Sequence, residues 1–153
     1  MTLPQGDESP RIAVRALIVE AGRLLVVNAY PQGESDLWCA PGGGMERHCS
    51  MPDNLIREVY EETGLTISIG DLAGVNEFHD PARGFHQVDL FFKATIVEGT
   101  LDPTWEDPEA TVHTHRFVTR DELAGLRHKP DRLADMAFAD RTALYDPLEQ
   151  LVF

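Results

Sequence analysis

Residues 57–65 read Arg57-Glu58-Val59-Tyr60-Glu61-Glu62-Thr63-Gly64-Leu65, downstream of a glycine run, Pro41-Gly42-Gly43-Gly44. Three carboxylates fall within five positions of one expected helix. At 100° per residue, Glu58, Glu61 and Glu62 lie within about 100° of arc on one face. Like charges three and four apart repel by about 0.2–0.5 kcal/mol per pair. Two of the three also sit in the last turn, where the helix dipole disfavours negative charge. A helix gains from this arrangement only if a cation neutralises it, so the cluster points to a divalent metal site.

The helix has well-marked ends. Ser50 is a candidate N-cap, with Pro52 near the start and Asp53 three residues on. Gly64 is the expected terminator, giving a helix over residues 51–63. Ile56, Val59, Tyr60 and Thr63 share the face opposite the glutamates, which predicts a sheet-packed side and a side presenting carboxylates to solvent. Around this helix the pattern is mostly strands. Residues 12–19 and 23–27 form an expected hairpin about Glu20-Ala21-Gly22, followed by a polar loop over 28–36. A short strand at 37–40 leads into a glycine turn at 41–44. Further strands are expected at 65–69, 73–78, 88–97 and 112–118. Thr119 with Glu122 forms a capping box that opens a helix to about residue 127. Another helix is expected over 132–145, with Leu133, Met136, Ala137 and Leu144 as its apolar stripe. This order fits an α+β sandwich with a mixed sheet.

At 153 residues the chain fits one domain, with residues 1–10 a flexible lead and 11–153 the folded unit. No run approaches the ~18 apolar residues of a membrane span, and the polar start lacks a signal-peptide core, so the expected location is the cytoplasm. The formal charge of -13 argues against nucleic acid held on a basic surface. A small anionic substrate would instead need metal ions and a few placed arginines. Cys39 and Cys49 provide neither a disulfide framework nor a paired zinc motif. The closing residues 148–153 are apolar enough to dock on the body or on a partner, a second copy of the chain among them.

The spacing from Gly43 to Leu65 closely resembles the box of the Nudix (MutT-like) hydrolases, a glycine–glutamate segment followed by Arg-Glu-apolar-x-Glu-Glu-x-Gly-apolar. Trp38, Pro41, Glu46 and Ser50 extend the likeness, which is specific over residues 37–65. The resemblance implies a Nudix α/β/α sandwich and metal-dependent hydrolysis of a nucleoside diphosphate linked to another group. Implied substrates are nucleoside triphosphates, ADP-ribose, nucleotide sugars and dinucleoside polyphosphates, with Mg²⁺ or Mn²⁺ as cofactor. It further implies Glu58 and Glu62 as chief metal ligands and Glu61 as a further ligand or the group that activates water. Arg57 would steady the glutamates, and a carbonyl of the Gly42–Gly43 turn would complete the site. An assisting acid from a later loop falls among Glu106, Asp107 and Glu109, of which Glu109 is preferred.

The chemistry is consistent on its own terms. Cleaving a phosphoanhydride needs neutralised oxygens and a positioned water. Mg²⁺ takes oxygen ligands and keeps several waters. Glycines at 42, 43 and 44 let the backbone approach without a Cβ in the way.

The box has one departure. Cys49 stands where the family has a glutamate that pairs with the arginine, and His48 stands at a position often held by glycine. Glu46 is the candidate to replace the missing contact with Arg57. Two other readings stay open: a non-catalytic nucleotide-sensing module that keeps the fold, and a zinc site using His48 and Cys49.

Overall fold

The computed structural model describes residues 9–28, 34–110, 112, 114–140 and 142–153. The expected lead over 1–10 therefore lies almost wholly outside the described residues, as do 29–33 of the polar loop. The first strand, β1 (Arg11–Glu20), shows why a sheet forms with two covered faces. Val14, Ala16 and Ile18 point one way and Ala13 and Leu17 the other, and all five are buried. Ala21 and Gly22, with φ of 50° and 76°, turn the chain into β2 (Arg23–Asn28), the expected hairpin.

The other strands are β3 (Gly42–Gly44), β4 (Thr66–Asp80), β5 (Phe85–Glu98), β6 (Thr114–Thr119) and β7 (Leu144–Gln150). They form one mixed sheet in the order β6-β2-β1-β5-β4-β7, with β3 attached to β1. The β1–β5 and β4–β7 pairs are parallel and the others antiparallel. Helix α1 (Met51–Thr63) covers one face, packing Leu55 and Val59 against Val14, Ala16, Ile18 and Leu25. Helices α2 (Arg120–Ala124) and α3 (Leu133–Phe138) cover the other, where Leu123, Leu133 and Met136 meet Leu17, Leu24 and Phe91. The result is an α/β/α sandwich.

The boundaries of α1 match the sequence expectation. Ser50 Oγ accepts from Asp53 N, and Gly64 ends the helix in the left-handed region at φ 75°. Thr119 and Glu122 form the expected capping box, but Gly125 caps the helix early.

Four expectations need correction. The glycine run is a strand, paired Ala13↔Gly44, Val14↔Gly43 and Arg15↔Gly42, rather than a turn. Residues 66–80 form one strand, interrupted by register shifts near Leu72 that look like a break in the sequence. The helix expected over 132–145 stops at Phe138, and Leu144 belongs to β7, because pairing with β4 through Gly74↔Leu144 outweighs the helical stripe. Finally, α1 is rolled toward its glutamates: Leu55 is buried, Tyr60 is 50 % exposed, and Glu62 is only 5 % exposed. The closing residues dock on the body, with Leu151 N donating to His79 O at 2.7 Å.

Gly42 is the tightest point of the β1–β3 pair, since a Cβ there would fall on the Val14 carbonyl oxygen. Gly42→Ala is expected to lower stability by about 1–3 kcal/mol, the usual range for overpacking, measurable as a shift in the urea midpoint.

Candidate metal centre

The two chain segments with unusual composition meet where α1 crosses β3. Glu62 Oε2 accepts from the backbone N–H of Gly42 at 3.0 Å, in a buried position. One residue along, the Glu58 carboxyl lies flat against Gly43, where a Cβ would sit 2.6 Å from its Cδ. Consecutive glycines therefore face two carboxylates one helical turn apart. The third glycine faces a cation: a Cβ on Gly44 would lie 2.5 Å from Arg11 Nη2. The glycine run is thus a bare ribbon of backbone flanked by the groups that handle charge.

Burial makes these carboxyls reluctant to ionise. Glu62 is pushed up from its ordinary value to about 8, chiefly by desolvation. The guanidinium of Arg15 and the Gly42 N–H pull it back, while Glu58 and Asp107 push it further up. Glu58 is raised as well, by burial first, against the pull of Arg57 and with the help of Glu61 and Glu109. Arg15, on β1, holds Asp89 at 3.4 Å and donates to Ala40 O. It therefore carries positive charge from the far sheet face toward Glu62.

Arg57 is the hub of the outer side. Its Nη1 reaches both oxygens of Glu61 at 3.3 Å, and its Nη2 reaches Glu58 and Glu46, also at 3.3 Å. The Glu46–Arg57 contact that the sequence suggested is present. His48 takes φ 69°, which accounts for glycine being the usual occupant of that position.

The three box glutamates do not turn to a common point. Glu58 and Glu62 face the glycines, whereas Glu61 lies with Arg57. Among the described residues no three His, Cys, Asp or Glu side chains form a ready-made metal cluster, and this includes His48 and Cys49. The donor set nevertheless suits a hard cation. It consists of carboxylate oxygens beside backbone that carries no Cβ, and one buried carboxyl with raised proton affinity stands to gain from a positive neighbour.

Of the later acids, Asp107 accepts from the N–H groups of Glu109 and Val112, at 2.9 Å each, so both of its oxygens hold the loop. Glu109 lies near enough to Glu58 to raise that group's proton affinity. Glu106 is exposed.

Sequence reading missed Asn54, which is fully buried. Its Nδ2 donates to Gly44 O at 3.1 Å, and its Oδ1 accepts from Glu46 N at 2.9 Å. This clamps the loop after β3 onto α1. A poor helix former placed inside a helix, three residues before Arg57, was the available signal. Arg15 and Asp89 were also missed, because their pairing depends on strand register.

A cavity of about 160 Å³ opens on the opposite sheet face, lined by Arg15, Asn76, Phe78, Asp89, Lys129 and Glu149 among others. Glu149 accepts from Asn76 Nδ2 at 3.2 Å and from Lys129 Nζ at 3.0 Å. Trp38 packs partly buried against the core beside it.

Two predictions follow from these contacts. Glu46→Ala should reduce stability by about 0.2–1 kcal/mol, since the pair with Arg57 is solvent-accessible, and adding Cys49→Glu should restore it in urea unfolding. An unchanged midpoint would remove Glu46 as the substitute. For Glu62, the folded carboxyl binds its proton more tightly than the unfolded one. Its contribution to stability is therefore present below its unfolded value and lost as pH rises through about 8. Melting temperatures in chelator should fall from pH 5 to 8 with a slope that Glu62→Gln flattens, and Mg²⁺ or Mn²⁺ should oppose the fall.

Comparison with known proteins bears on the family and the fold. The family model described as NUDIX domain matches residues 9–138. A MutT-like protein of Streptomyces ambofaciens is 34% identical over 128 residues, covering 81% of this chain and 75% of its own. Diphosphoinositol polyphosphate phosphohydrolase 3-alpha of Mus musculus is 39% identical over 109 residues, 70% of this chain and 61% of its own. The chain spans about three fifths of the length of several such relatives. Among solved structures, a MutT protein from Bacillus halodurans superposes with a TM-score of 0.69 at 26% identity, covering 90% of this chain and 88% of that one.

Proposed function

Because the chain belongs to the NUDIX family, we propose that it hydrolyses a phosphoanhydride with the help of a divalent metal ion, Mg²⁺ or Mn²⁺. The observation that carries this reading is the pair of carboxyls, Glu58 and Glu62, set against the bare backbone of Gly42 and Gly43. Glu58 and Glu62 are the groups to hold the ion, with Glu61 available once it leaves Arg57. When bound, the ion supplies neutralisation of phosphate oxygens and lowers the pKa of a coordinated water. Arg57 keeps the acidic side chains apart and oriented. Arg11, beside Gly44, is placed to meet a phosphate oxygen. Glu109 approaches from the loop as the group that orients water.

The substrate is a nucleotide-type anhydride: a nucleoside triphosphate, ADP-ribose, a nucleotide sugar or a dinucleoside polyphosphate. The cavity near Arg15 supports this choice over an inositol polyphosphate. Its formal charges cancel, Arg15 and Lys129 against Asp89 and Glu149, which suits an uncharged ring with hydrogen-bonding edges. A polyphosphorylated inositol would need an excess of cations in a chain whose formal charge is -13. The proposal includes a cytoplasmic setting and no nucleic-acid partner, the latter because the formal charge is -13. Among the described residues, no helix is long and apolar enough to cross a membrane.

The deciding experiment is a turnover assay over those substrate classes, including a diphosphoinositol polyphosphate, with Mg²⁺, Mn²⁺ or chelator. Metal-dependent release of a nucleoside monophosphate is expected, reduced at least about a hundredfold by Glu58→Gln or Glu62→Gln. Binding of a nucleotide with no turnover of any substrate would instead make the chain a sensor.

A further inference from the structure

Residues 102–110 follow β5, and one side chain pins this segment to the C-terminal end of α1. The Trp105 indole Nε1–H donates to the carbonyl oxygen of Glu61 at 2.8 Å. That carbonyl is one of the last four of the helix, which have no partner within it. The indole face rests on Gly64, where a Cβ would come within 2.7 Å of Trp105 Cε3. Its ring also meets Tyr60 nearly edge-on, with centroids 5.6 Å apart. Gly64 therefore does two things: it ends the helix in the left-handed region and leaves a seat for the indole.

On either side of Trp105 the backbone is folded into turns. Trp105 N donates to Asp102 O at 3.0 Å, and Asp102 Oδ1 accepts from Thr104 N at 2.8 Å. Ala110 N donates to Asp107 O at 2.8 Å, and the Asp107 carboxylate holds Glu109 N and Val112 N. The loop is thus two compact turns hung on one aromatic clamp. The second turn carries Glu109, four residues beyond the clamp. The clamp grips the same helix turn that bears Glu61 and Glu62, so anchor and carboxylates move together.

We propose that Trp105 is a positioning residue of the reaction: it fastens the loop to the end of α1 and so fixes the approach of Glu109 to the carboxylate centre. This rests on the hydrolase reading above. No residue of the loop lines the cavity assigned to the substrate's ring. Loss of the clamp should therefore change turnover and leave the grip on substrate intact.

The test compares Trp105→Phe, which keeps a smaller aromatic ring and deletes the N–H, with Trp105→Leu, which deletes the clamp, and with Glu109→Gln alone and combined. For Trp105→Leu, kcat is expected to fall about tenfold to a hundredfold, as a misplaced group does, with KM within about twofold. Trp105→Phe should lose less. The double variant should be little worse than Glu109→Gln, because both changes remove one interaction. A fall in melting temperature with kcat unchanged, a rise in KM alone, or fully multiplicative losses would each overturn the proposal. Amide hydrogen exchange at Glu109 and Val112 gives a readout that needs no turnover. It should quicken in Trp105→Leu even if the wild-type chain proves inactive, in which case the hydrolase reading falls and the clamp stands. Unchanged exchange would overturn the clamp whatever the activity.

Discussion

The buried hydrogen bond from Gly42 N–H to Glu62 ties the sandwich together at its chemical centre. It joins α1, which covers one sheet face, to β3, which hangs on β1. It exists because α1 is rolled far enough to bring Glu62 inside, at the expense of exposing Tyr60. A carboxyl in that position is disfavoured as an anion, and Arg15 together with one backbone N–H only partly offsets the desolvation. The helix face that would have been a routine apolar stripe is instead shared between Leu55, Val59 and an acid. The proposed role of Glu62 in holding a metal ion accounts for that compromise.

The same compromise organises the surroundings. Arg57 gathers the acids that remain outside, and Asn54 locks the loop after β3 so that Glu46 reaches Arg57. The exposed Tyr60 is used as one wall of the seat for Trp105. On the other sheet face, Arg15 links the centre to the cavity through Asp89, whose second partner is Gln87 at 2.6 Å. These buried polar groups sit in a face that elsewhere packs Leu17, Phe91 and Met136. Keeping them hydrogen-bonded there contributes less to stability than apolar packing would, a cost that the proposed binding role explains.

Much of this was legible one-dimensionally where the determinants are local. Ser50, Pro52 and Gly64 delimit α1 because caps depend on a few neighbouring residues. Thr119 and Glu122 start α2 for the same reason. The spacing of Arg57, Glu58, Glu61 and Glu62 marked the candidate centre because residues three and four apart on a helix are neighbours. The misreadings share the opposite cause. Leu144 carries a helical stripe's spacing but answers to β4, 70 residues earlier in the chain. The glycines read as a turn because nothing local reveals that β1 lies alongside them.

Sequence alone therefore determined the chemistry on offer: acids on a capped helix, glycines to receive them, an arginine between, and a cysteine where another acid was expected. Tertiary structure decided how these are deployed. It buried Glu62, left Glu61 with Arg57, brought Glu46 to Arg57, and engaged both oxygens of Asp107 in holding a loop. The physical reason is that caps and spacing act over a few residues, whereas desolvation and strand register depend on which distant segments pack together.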